Sequence, residues 1–81
     1  MDAERRALGR RVRRLRTGLG LSQEQLAERA GLHWTHISGI ERAQYNLKLS
    51  TLTRVARGLD LSLSELFSGI RPSSRKTATK R

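Results

Sequence analysis

An all-α fold of five short helices is what this 81-residue sequence predicts, and three observations carry the prediction. Apolar residues recur at intervals of three and four, as at Leu8, Val12, Leu15 and Leu19, the spacing that lines one face of a helix. Ser22 with Gln25, and Ser62 with Glu65, have the form of capping boxes. In such a box the serine accepts from an orphan N–H while the residue three on returns a bond to the serine's own N–H. Glycines follow the periodic stretches at Gly20, Gly31, Gly58 and Gly69, where a helix can end in the left-handed conformation without a Cβ penalty.

The first helix should run from Asp2 to Leu19. Its acidic residues Asp2 and Glu4 sit at the start, and arginines 5, 6, 10, 11, 13, 14 and 16 crowd the later turns, the order that the helix dipole favours. Ser22 caps a second helix from Gln23 to Ala30, which turns Leu26, Ala27 and Ala30 inward. After Gly31, a third helix from Trp34 to Arg42 directs Ile37 and Ile40 to the core, together with Leu32. This spacing puts Trp34, Thr35, Ser38 and Arg42 on the opposite face.

Residues 43–48 break the pattern and read as a loop. Leu49 and Ser50 then look like staple and cap for a fourth helix, Thr51 to Arg57, with Leu52, Val55 and Ala56 inward and Gly58 as its end. Ser62 starts a fifth helix that ends near Gly69. Its Leu63, Leu66, Phe67 and the following Ile70 exceed what one short helix needs for docking, so Leu63, Phe67 and Ile70 are candidates for a dimer interface. Beyond Ile70 apolar residues vanish. Burial there cannot offset ordering entropy, so residues 71–81 read as a disordered basic tail on a single domain of residues 1–70.

Lys and Arg number 17 against 7 Asp and Glu, a formal net charge of +10. Such an excess is self-repulsive in a folded chain and is usually found where a polyanion neutralises it, nucleic acid first and an acidic membrane surface second. An apolar stripe of leucine and valine on the first helix reads as core rather than as a membrane-embedded face. There is no cysteine, which excludes a disulfide framework and a Cys-ligated zinc site. The sequence shows neither a membrane span nor a signal peptide, so a soluble cytoplasmic protein is expected.

Helix, glycine turn, helix from Leu21 to Arg42 is the connectivity of a helix-turn-helix reader of double-stranded DNA. His33 and His36, three apart, do not make a metal site: common sites need three or four ligands, and no cysteine or carboxylate stands at useful spacing. His33 reads as a helix cap, and His36 as a donor to a phosphate or base edge. No serine lies in a nucleophile elbow, no carboxylates are paired, and the glycines match neither phosphate-binding fingerprint, so neither an enzyme nor a cofactor is expected.

With these residues located, the chain resembles the lambda repressor and Cro type of helix-turn-helix domain, the XRE family, over about Leu8 to Phe67. The carriers are Leu15-Arg16, Gly20-Leu21-Ser22-Gln23, Leu26-Ala27, Ala30-Gly31, Ile37-Ser38-Gly39-Ile40-Glu41-Arg42, and Leu52, Ala56 and Leu59. Within the family, AGLHWTHISGIER and NLKLSTLTRVARGLDL look most like the controller proteins of restriction-modification systems, small dimeric regulators of transcription. The resemblance implies a structural pair of Arg16 with Glu41, which burial independently demands, because a lone Glu beside inward-facing Ile40 would be costly. It implies base reading by Trp34, Thr35, His36, Ser38 and Arg42, and phosphate contacts by Gln23, Tyr45, Asn46 and Lys48. Controller proteins commonly carry arginine and tyrosine where this chain has Trp34 and His36, and tryptophan cannot make arginine's bidentate contact to guanine. A homodimer on a partly palindromic operator follows, with RNA polymerase as a further candidate partner. An antitoxin, a phage-type repressor and a non-specific basic nucleic-acid binder are the alternatives.

Overall fold

The computed structural model describes residues 2–44 and 48–68. Five helices follow one another as α1 (Asp2–Gly18), α2 (Gln23–Ala30), α3 (Trp34–Glu41), α4 (Leu49–Gly58) and α5 (Leu63–Phe67), and no strand occurs among the described residues. The all-α, five-helix expectation holds. Expectations for Tyr45 and Asn46 in the loop, for Ile70 and for the tail 71–81 lie outside the described residues.

Both capping boxes are formed. Ser22 accepts from the Gln25 N–H and Ser62 from the Glu65 N–H, while Gln25 and Glu65 return bonds to the serine N–H groups, both at 2.8 Å. The helix ends share one device as well. In α1 to α4 the chain leaves through a left-handed residue, at Gly20, Gly31, Ala43 and Asp60. At each, the N–H of the next residue reaches back five positions: Leu21 to Arg16, Leu32 to Ala27, Gln44 to Gly39 and Leu61 to Ala56. This is the Schellman closure, which satisfies carbonyls that a helix end otherwise leaves open.

Two of these left-handed residues differ from expectation. Gly58 is the last helical residue of α4 but does not take the left-handed conformation; an added Cβ there would meet Leu26 Cδ1 at 3.1 Å and the Ala30 N at 3.2 Å. Its role is close packing of α4 on α2, and Asp60, at φ 61°, makes the turn. Ala43, at φ 59°, occupies a conformation that crowds its Cβ. Ala43→Gly is therefore expected to stabilise the domain by about 0.5–1 kcal/mol, after allowing for glycine's larger entropy loss. Thermal denaturation should show a midpoint raised by about 2–8 °C.

The start of α4 also departs from expectation. Helical structure begins at Leu49 and not at Thr51, with Lys48 as N-cap. Ser50 falls within the first turn and makes no cap, and Leu49 is 65% exposed and serves as no staple. Leu19 likewise misses the core, at 52% exposure, because α1 stops at Gly18 and Leu19 enters the turn.

The core is one cluster. Leu8 and Val12 of α1, Leu26 and Ala27 of α2, Ile37 and Ile40 of α3, Leu52, Val55 and Ala56 of α4, Leu59, and Leu66 of α5 pack together. α3 lies against both α1 and α2, and α4 spans from α2 to α5. Arg11 fastens the last helix: its Nε donates to the Leu66 carbonyl at 2.8 Å and its Nη2 to that of Glu65 at 2.9 Å. A guanidinium at a helix C-terminus meets carbonyls of the last turn and the negative end of the dipole.

Candidate nucleic-acid interface

α3 is positioned by one polar network. Arg16 Nε donates to Glu41 Oε2 at 2.6 Å and its Nη2 to Oε1 at 3.1 Å, while Nη1 reaches the Leu21 carbonyl at 2.7 Å. The side chains are 11% and 4% exposed. A two-pronged guanidinium–carboxylate pair with a third N–H bonded to a carbonyl is the arrangement that lets charges be buried. The pair thus ties α1, the α1–α2 turn and the end of α3 together, as expected for Arg16 and Glu41.

Gln23 joins this network, which the sequence reading missed. Its Nε2 donates to Glu41 Oε1 at 3.1 Å. An amide nitrogen carries two hydrogens, so one remains for an outside acceptor at the start of α2, where free N–H groups also gather. The residue is thus both a brace and a presented donor.

His33 caps α3, as expected: its Nδ1 accepts from the Thr35 N–H at 3.3 Å and lies 2.9 Å from Thr35 Oγ1. The Thr35 hydroxyl is thereby held at the first turn. Thr35, His36 and Arg42 are exposed, Arg42 as the C-cap residue of α3.

Two expected readers are placed differently. Ser38 is 8% exposed, not on the open face. Because α1 and α2 both pack on α3, the buried surface spreads from Ile37 and Ile40 to Ser38 and Gly39. Trp34 is 44% exposed, but it shares a cleft with Arg16, Ser22, Gln23 and Glu24. On a helix it stands three, four and seven residues before Ile37, Ser38 and Glu41, and so on their side rather than with Thr35 and Arg42. Its side chain borders the start of α2 across that cleft.

Lys48 is exposed, and α4 has no side-chain cap, which leaves its first N–H groups open to an external acceptor. Of the expected dimer residues, Phe67 is 37% exposed and Leu63 packs partly against the core, while Leu66 is fully buried. Among the described residues no helix is long and apolar enough to cross a membrane, and no group of three or more His, Cys, Asp or Glu could hold a metal ion.

A helix-turn-helix family model matches residues 12–66, from the middle of α1 to α5. The chain belongs to the helix-turn-helix family. Its relatives include the Control protein C.SmaI of Serratia marcescens, 47% identical over 60 residues that cover 74% of this chain and 71% of that protein. Control protein C.MunI of a Mycoplasma species is 40% identical over 63 residues, covering 76% and 85%. Among solved structures, the restriction-modification controller protein C.AhdI from Aeromonas hydrophila superposes with a TM-score of 0.77 at 43% identity, covering 80% of this chain and 98% of that one. The resemblance read from the sequence, to the XRE type and within it to the controllers, is borne out.

Proposed function

We propose that this helix-turn-helix protein is a transcriptional regulator of the controller type, binding a partly palindromic DNA operator as a homodimer. The observation that carries the reading is the clamped α3. Its inner side is locked by Arg16, Gln23 and Glu41, and its outer side presents Thr35, His36 and Arg42. A rigidly held helix with an exposed polar face is what entry into a major groove requires. The fold shared with C.AhdI over 98% of that chain supports the controller assignment.

In this reading Arg42 is the main base reader, bidentate to guanine, with Thr35 and His36 contacting base edges or a thymine methyl. Trp34 packs on the sugar-phosphate wall beside the start of α2. Ser38 supports the helix from inside. Gln23 and Lys48 hold phosphates, as do Tyr45 and Asn46, which lie between α3 and α4 in the sequence. Phe67 and Leu63, with Ile70, form the contact between protomers. The basic tail 71–81 adds phosphate contacts without sequence preference.

Selection of bound sequences from random duplex DNA tests the proposal. Two symmetry-related half-sites centred about one helical turn apart, roughly 34 Å, are expected. Failure to enrich any sequence would sink it in favour of non-specific binding. Arg42→Ala should then cost about 1–3 kcal/mol on the selected site and relax preference at one base pair. Equal weakening on every sequence would instead make Arg42 a phosphate contact.

A further inference from the structure

The outer face of α1 carries Arg6, Arg10, Arg13 and Arg14 at helical offsets of zero, four, seven and eight, all exposed. Arg11 and Arg16 are committed to the α5 carbonyls and to Glu41, whereas the guanidinium of none of these four has a hydrogen-bond or ion-pair partner among the described residues. The stripe spans about 12 Å of helix at 1.5 Å per residue. It is not remote from the reading helix: Arg6 and Arg42 line one cleft, together with Arg5 and Ala43. A continuous basic surface therefore leaves the end of α3 and runs along α1.

We propose that this α1 stripe is a second phosphate-binding surface, which engages the operator duplex beyond the half-site read by α3. The assignment rests on the DNA-binding reading above. Charge selects the partner: adjacent guanidiniums repel one another unless a polyanion lies across them, and arginine's planar fork matches phosphate oxygens. The face has no large apolar side chain, whereas protein partners are usually held through a buried apolar or aromatic anchor. Each phosphate neutralised releases counterions, so the surface should show itself in length-dependent, salt-sensitive affinity.

The experiment compares the full chain with the variant Arg6→Gln, Arg10→Gln, Arg13→Gln and Arg14→Gln, its helicity checked by circular dichroism. Each binds the selected operator as a minimal duplex and as one extended by a full helical turn at both ends, over a range of salt. The native chain should bind the extended duplex at least roughly tenfold tighter, with a logarithmic salt slope steeper by about 0.9 per added phosphate contact. The variant should lose that gain and keep its preference for the operator over a scrambled duplex of equal length.

Equal gain from extension in both proteins would overturn the proposal. So would equal weakening of the variant on both lengths, which would reveal only the long-range field of the arginines. Unchanged duplex binding with lost adhesion to phosphatidylserine vesicles would assign the stripe to membranes and likewise overturn it. If the native chain itself fails to prefer the operator to the scrambled duplex, the regulator reading fails, an outcome distinct from all of these.

Discussion

Glu41→Ala is expected to destabilise the domain by about 3–5 kcal/mol, the range for breaking a buried ion pair from one side. The substitution strands the Arg16 guanidinium, 9% exposed as a residue, and removes the acceptor of Gln23 Nε2. Folded domains hold only about 5–15 kcal/mol in total, so the loss is a large share of the stability of a chain of 81 residues, and its denaturation midpoint should fall steeply. Urea denaturation followed by circular dichroism measures the change. The double variant Arg16→Met, Glu41→Leu should recover most of the loss, because paired apolar side chains avoid the desolvation that a stranded charge suffers. A loss under about 1 kcal/mol for the single variant would mean that the pair behaves as an exposed one.

Gly9→Ala should cost about 2–3 kcal/mol, although alanine is the better helix former by about 0.5–1 kcal/mol. A Cβ at position 9 would stand 2.5 Å from the Ile40 carbonyl oxygen and 2.8 Å from that of Glu41. Both obstacles are backbone, so α3 must shift as a unit. DNA affinity should fall with stability, since the end of α3 carries Arg42. Gly18→Ala is the internal control: nothing lies within 4 Å of its Cβ, and it should stabilise by about 0.4–1 kcal/mol. Thermal melts of the two variants are expected to move in opposite directions. Parallel shifts would refute a close approach of α1 to α3 at Gly9.

These two residues were unequally legible. Glu41 could be found, because a carboxylate one position past inward-facing Ile40 demands a cation. Gly9 gave only the signal of a lone glycine inside a periodic stretch, which marks close packing but names no neighbour. Arg11 gave none, being one of several arginines on α1, and its bonds to Leu66 and Glu65 arise only when α5 docks. The same holds for Ser38. Helical periodicity locates the centre of a buried stripe, whereas the width of that stripe depends on how many neighbours pack against it.

By itself the sequence determined the helix starts at Ser22 and Ser62, the ends at Gly20 and Gly31, the apolar stripes that became the core, and the strong positive charge. These signals act within three or four residues along one chain segment, so they need no partner to be read. Only the tertiary structure decided that Ser38 turns inward, that Trp34 borders the start of α2, that Gln23 braces Glu41 and that Asp60 rather than Gly58 closes α4. Each of those outcomes depends on which helix lies beside which, and such contacts join residues too distant in the sequence for any local pattern to specify.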